Sequence, residues 1–165
     1  MAEYGVTRIE DLPVNFGGLA LQEGEENSNR IFDANYGDLW RLYERQQTVR
    51  SAGGALFPLL AMQPVSMSLT GNDGAHHQHF ANAAEQYRRQ IQVVMNSDLA
   101  VNSKYKDNTY KAGPAWWEQV QRFVYRAPGS NWALSNQLGP VALLCAWCVG
   151  ALLLALFGIR RLRAV

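Results

Sequence analysis

Three histidines fall within four positions at His76, His77 and His79, in the stretch GNDGAHHQHFANAAEQYRRQIQVVMN from 71 to 96. Imidazoles this dense suit metal ligation, acid/base transfer or a hydrogen-bonded structural corner. On a helix His76 and His79 stand three apart and share a face, while His77 points about 100° away from His76. His76 and His79 are thus the pair that could hold zinc or copper. A structural zinc site asks for four protein ligands and a catalytic one for three plus water. Asp73 or Glu85 could add a carboxylate, but no second H-x-x-H or C-x-x-C pattern in the body completes the set. The alternative is a corner in which Asp73 caps a helix, His76 bonds inward, and His77 and His79 stay partly exposed. No G-x-S-x-G, H-E-x-x-H or phosphate-cradling glycine loop is present, so no nucleophile, base and oxyanion donor assemble. The expectation is a protein that is not an enzyme, with no cofactor beyond that possible zinc or copper.

The elements that would position these residues read as helical. After Asp73, whose charge suits the positive end of a helix dipole, Phe80, Ala84, Tyr87, Ile91 and Val94 form a stripe at spacings of four, three, four and three. Glu85, Arg88, Arg89 and Gln92 lie on the opposite face, which predicts an amphipathic helix buried along the apolar stripe. A second helix is expected from about Glu25 to Arg50, with Asn27 or Ser28 as its cap and Phe32, Tyr36, Leu39 and Tyr43 on one face. Before it, residues 1–24 hold Pro13 and several glycines and read as an irregular or short-strand entry segment. The uncharged run SAGGALFPLLAMQPVSMSLTG, 51–71, is broken by Pro58 and Pro64 and reads as a buried connection, or one resting on a membrane or a neighbouring span. Residues 97–114 read as a polar loop, and AWWEQVQRFVY as a short helix with Trp116, Val120 and Phe123 on one face.

The C-terminal segment has a different character. From Leu138 to Ile159 there are 22 residues without a charge, about 33 Å of helix, enough to cross a hydrocarbon core of about 30 Å. Pro140 falls in the first turn, where its missing N–H costs little, and Trp132 precedes the span at a place that suits the headgroup level. Both cysteines, Cys145 and Cys148, lie inside this segment, where thiolate chemistry is disfavoured, so the body has no disulfide framework. Arg160, Arg161 and Arg163 follow the span directly and predict a cytoplasmic C-terminus. The organisation expected is a mostly helical extracytoplasmic domain over 1–135, a transmembrane helix over 136–159 and a cytoplasmic basic tail over 160–165. The opening residues show no basic stretch followed by an apolar one that would export this domain, so the chain is expected to be either tail-anchored with its body in the cytosol or the C-terminal portion of a longer membrane protein whose earlier spans carry the domain across.

Charge excludes one class of partner. The chain carries 15 Lys and Arg against 14 Asp and Glu, and removing the three terminal arginines leaves 12 basic residues. A slightly acidic body without a basic stripe does not track a phosphate backbone, so nucleic acid is not an expected partner.

The pieces taken in order resemble a known family. LPVNFGGL (12–19), NRIFDANYGDLWRLYERQ (29–46), the run 56–96, WWEQVQRFVYRAPGSNWAL (116–134) and a final span ending in RRLR look like the C-terminal portion of type-2 ABC transporter permeases that carry the domain of unknown function numbered 3526. The most specific part is Ser66, Met67, Gly71, Asp73, His76, His77 and Phe80, followed by Glu85, Tyr87, Arg88 and Arg89. The resemblance implies a multi-span exporter subunit in the inner (plasma) membrane, energised by an ATP-binding subunit in trans. Its partners would be that subunit, a further permease subunit or upstream spans, and lipid. Gly71, Asp73, His76, His77, Phe80, Tyr87 and Arg88 would form its structural motif, with Trp132, Arg160, Arg161 and Arg163 as membrane anchors. The rival expectation is a membrane-anchored extracytoplasmic metal-binding module built on His76, His77 and His79.

Overall fold

Asn15 starts the first helix. Its side-chain carbonyl accepts the Gly17 N–H at 2.8 Å, and its amide donates to the Ser103 hydroxyl at 2.5 Å and the Lys104 carbonyl at 3.1 Å. The side chain thereby caps one helix and reaches the end of another. The structure is a computed structural model that describes residues 4–107 and 109–162. It contains α1 (Phe16–Gly53), α2 (Pro58–Leu69), α3 (Gly74–Asn102), α4 (Pro114–Trp117), α5 (Ser130–Ser135) and α6 (Leu138–Leu162), with a 3-10 turn at Ile9–Asp11. The fold is mainly α, and no strand occurs among the described residues.

Two compact units divide the chain, one of Met1–Gly37 with Ala81–Tyr125, the other of Asp38–Phe80 with Arg126–Val165. In the first, the opening half of α1 runs antiparallel to the later half of α3. Gln22 meets Asn96, Glu25 and Asn29 meet Arg88, and Asp33 meets Arg89. The seam is polar. Glu85 accepts from Arg88 and Arg89 at 2.7 and 2.8 Å, and the Arg89 guanidinium also covers the Phe32 ring at 5.9 Å. The expected burial of α3 is met only in part: Ala84, Tyr87 and Ile91 of the apolar stripe are half-buried, and the charged face meets a neighbour as well. Glu85 is largely enclosed, while Phe80 and Val94 of the apolar stripe are each 45% exposed. Spacing identifies two faces of a helix but not which one meets a neighbour. Here the ion pairs Glu25–Arg88 and Asp33–Arg89, with Glu85 held between the two arginines, match α1 to the charged face.

The entry segment also differs from expectation. α1 begins at Phe16, nine residues before Glu25, and Asn27 and Ser28 lie inside it. Gly18, read in sequence as a breaker, is where the helices come closest: a Cβ there would lie 2.6 Å from the Ala100 amide nitrogen. A glycine that lets two backbones meet costs helix propensity of only about 1 kcal/mol, which packing offsets. The predicted helix over AWWEQVQRFVY shrinks to four residues. Beyond it the chain has no regular structure up to α5, and the tilted Phe123 ring packs against Tyr87 at 5.1 Å between centroids, covering part of the α3 stripe.

In the second unit the connection 51–71 contains a 12-residue helix, α2, and it rests on α6 as one of the expected alternatives had it. Pro58 occupies its first turn, where no N–H is needed. Pro64 removes one internal bond, yet it sits with Ala61 and Ser68 on the buried face that packs against α5 and α6. Small residues at three- and four-residue spacing allow that close packing. α6 is 25 residues long, about 37 Å, and its span-length apolar window has no buried share.

Two outcomes are expected. Gly18→Val should lower the thermal midpoint by the equivalent of about 1–3 kcal/mol, measured by circular dichroism in detergent, because the new Cβ meets backbone rather than a yielding side chain. Hydrogen bonds from Arg88 hold the Glu85 carboxyl down at about 2 against an ordinary 4.5, with Arg89 adding to the effect against the opposing cost of burial. Since the folded value is the lower one, this contribution is complete above pH 4.5 and is lost as pH falls toward 2. Glu85→Gln should be less stable at neutral pH and lose most of the melting-temperature slope in that window.

Candidate functional site

The histidine cluster sits where two helices turn a corner. α2 ends in a left-handed glycine, Gly71 at φ 71°, and the Gly71 and Asn72 amides donate to the Ser68 and Met67 carbonyls at 3.1 and 2.8 Å. This is the paired terminal bonding that glycine at this position permits. Asp73 follows at once as the cap of α3. One carboxylate oxygen accepts both the His76 backbone N–H at 3.0 Å and the His76 ring Nδ1 at 2.6 Å. The other accepts the Gln137 side-chain amide at 3.3 Å, immediately before α6 begins. An ionised carboxylate only accepts, so Nδ1 carries the proton of that bond.

The cluster is enclosed. Asp73 is 8% exposed and His76 7%, and Ser68 and Gln137 are buried as well. Burial alone pushes the Asp73 carboxyl up, but the backbone and ring N–H groups of His76, with the Ser68 hydroxyl, bring it below its ordinary 3.8. It is an anion at neutral pH, held by directed donors. The Ser68 hydroxyl also lies 3.2 Å from the Ala133 carbonyl, so its one proton is shared between that acceptor and Asp73, and it ties α2 to α5.

Trp132 closes the other side. Its ring meets His76 edge-on at 5.0 Å and His79 at 5.7 Å between centroids. The indole expected at the headgroup level thus packs between the two imidazoles expected to chelate. His77 is exposed and lies against Trp40 at 5.8 Å. With Nδ1 of His76 committed to Asp73, a metal could take that residue only through Nε2, and among the described residues no three His, Cys, Asp or Glu side chains gather around a metal-sized site.

The remaining motif residues lie elsewhere. Phe80 is exposed on the next turn of α3, Tyr87 packs against Phe123, and Arg88 joins Glu85, Glu25 and Asn29 in the polar seam. Arg160 and Arg161 end α6, with the Arg161 guanidinium over the Phe157 ring at 5.0 Å, and Arg163 lies outside the described residues. Sequence reasoning passed over Ser68 and Gln137. The one available signal was a glutamine directly before 22 uncharged residues, a polar side chain in need of a partner.

The arrangement converges donors on one carboxylate and so joins the end of α2, the start of α3, α5 and the threshold of α6. Every fully buried side-chain nitrogen or oxygen among the described residues has a partner. Its chemistry is positional.

A family model described as "Domain of unknown function (DUF3526)" matches residues 1–126, a stretch that includes the whole histidine motif and stops before α5 and α6. No curated protein and no solved structure matches the chain.

Asp73→Ala should destabilise the chain by about 1–3 kcal/mol, because it removes the cap and leaves the buried His76 and Gln137 donors unmatched. Asp73→Asn keeps one acceptor and should lose less. Thermal unfolding of both in detergent checks the order, and equal midpoints for Asp73→Ala and wild type would remove the junction's structural role.

Proposed function

The chain belongs to the DUF3526 family, and we propose that it is the C-terminal portion of a membrane-embedded permease subunit of an ABC-type exporter, energised by a separate ATP-binding subunit in trans. One observation carries the reading: α6 is long and apolar enough to cross a membrane, has no buried share over its span-length window, and ends in Arg160 and Arg161. A soluble protein would cover such a helix with its own body. Lipid covers it here, and the arginines hold its end on the cytoplasmic side of the plasma membrane. The helical part before it then stands outside the cytoplasm.

The role of that part is mechanical. Among the described residues the buried hydrophobic side chains are all alanines, at Ala61, Ala100 and Ala133, while Leu19, Ile31, Val94 and Val101 stay exposed. Apolar surface on this scale marks contact with other chains, so upstream spans or a second permease subunit complete the body. The Asp73 corner holds the end of α2 and the start of α3 against the threshold of α6.

Tagged protein expressed from its native operon and purified in mild detergent should bring down an ATP-binding subunit. With Cys145 and Cys148 replaced by alanine, Val124→Cys should react with an impermeant maleimide added to intact cells. A cysteine that reacts only after the membrane is opened would reverse the orientation. Purification without any nucleotide-hydrolysing partner would remove the transport reading.

A further inference from the structure

Residues 51–71 carry no charge, and the helix they form is two-sided. Ala61, Pro64 and Ser68 face inward, whereas Leu56 is 73% and Leu59 66% exposed, with Phe57 and Met62 beside them. Four large apolar side chains on one short element are not covered by this chain, and the height at which they sit says what covers them.

That height is set by two ties to α6. At one end, Ser68 reaches Ala133 and Asp73 reaches Gln137, at the threshold of α6. At the other, the Trp147 indole N–H donates to the Gly54 carbonyl at 3.0 Å. α2 therefore runs antiparallel along the first part of α6. Trp147 lies nine residues beyond Leu138, about 14 Å along the helix. A hydrocarbon core of about 30 Å that ends at Arg160 starts about twenty residues earlier, near Pro140. The turn around Gly54 then lies about 10 Å inside it.

We infer that α2 and the turn before it form a wedge inserted into the bilayer, with Leu56, Phe57, Leu59 and Met62 among acyl chains of the leaflet at the N-terminal end of α6. The inference rests on reading α6 as a span. Non-helical backbone at that depth must satisfy its own polar groups. The N–H groups of Gly54, Ala55, Leu56 and Phe57 donate to the carbonyls of Ser51, Ala52, Gly53 and Gly53, at 3.0 to 3.1 Å. The Gly54 carbonyl and the Trp147 indole satisfy each other. Lipid is the occupant because the outer face of the wedge continues the uncovered apolar surface of α6 at the same level.

Charge limits the depth. Arg50 lies four residues before Gly54, about 6 Å along α1, and Arg45 about 14 Å before it. Both are exposed, and their long stems carry the guanidinium groups back toward the headgroups. The wedge enters one leaflet and does not cross.

The test uses the full chain with Cys145→Ala and Cys148→Ala, reconstituted in phosphatidylcholine and phosphatidylglycerol vesicles and spin-labelled at Leu59→Cys or, as the span reference, Leu154→Cys. Collisions with oxygen report lipid and collisions with a nickel chelate report water. The expected result is that both labels keep oxygen collisions and lose nickel collisions. Nickel collisions at 59 with lipid exposure at 154 would overturn the wedge and leave the span standing. Loss of both kinds of collision at 59 would assign this face to protein and overturn lipid as its occupant. Nickel collisions at 154 would overturn the span and the wedge together.

Discussion

Among the described residues, the largest side chain that is fully buried is a serine, Ser68. That constraint explains most of what holds the chain together. A soluble domain of this length gains its stability from leucine, isoleucine and phenylalanine removed from water, on the order of 25 cal/mol per Å2. Here those residues line the outside, and order comes from helix caps, ion pairs and backbone approach. Each contributes about 1 kcal/mol or less when it is half-exposed, which makes the fold dependent on whatever covers its apolar faces.

The same constraint explains why the two polar clusters have different characters. The seam between α1 and α3 is half-open, and its arginines share carboxylates in a network that tolerates water. The Asp73 corner is closed, and its single charge is held by three N–H donors of fixed direction together with the Ser68 hydroxyl. An anion can be buried when directed hydrogen bonds replace its hydration. The corner is thus specific in geometry where the seam is permissive. That specificity suits a place where three helices must keep their relative directions.

What sequence made legible was local chemistry. Asp73 as a cap, Pro140 in a first turn, the uninterrupted apolar run of α6 and the helical nature of 74–96 all follow from interactions within a few residues. What it did not make legible was the sense of contact. Gly18 and Gly54 looked like breaks because a missing Cβ has two uses, freedom and closeness, and only a neighbour shows which applies. Pro58 and Pro64 looked like helix stops, yet one begins α2 and the other packs within it. The stripe of α3 was identified, but the contact of its charged face with α1 was not, because periodicity carries no information about the partner. Ser68 and Gln137, 69 positions apart, are brought to the same Asp73 carboxylate only through the fold.

The contact of the charged face of α3 with α1 bears on how the first unit is held together. If the apolar stripe were packed inside and the charges outside, the hairpin of α1 and α3 would be complete on its own. With Glu85, Arg88 and Arg89 committed inward, the hairpin keeps its register through ion pairs and presents Phe80, Val93, Val94 and Met95 outward. Register set by charge is insensitive to what binds the apolar side, so the surface is free to exchange partners without the helices sliding.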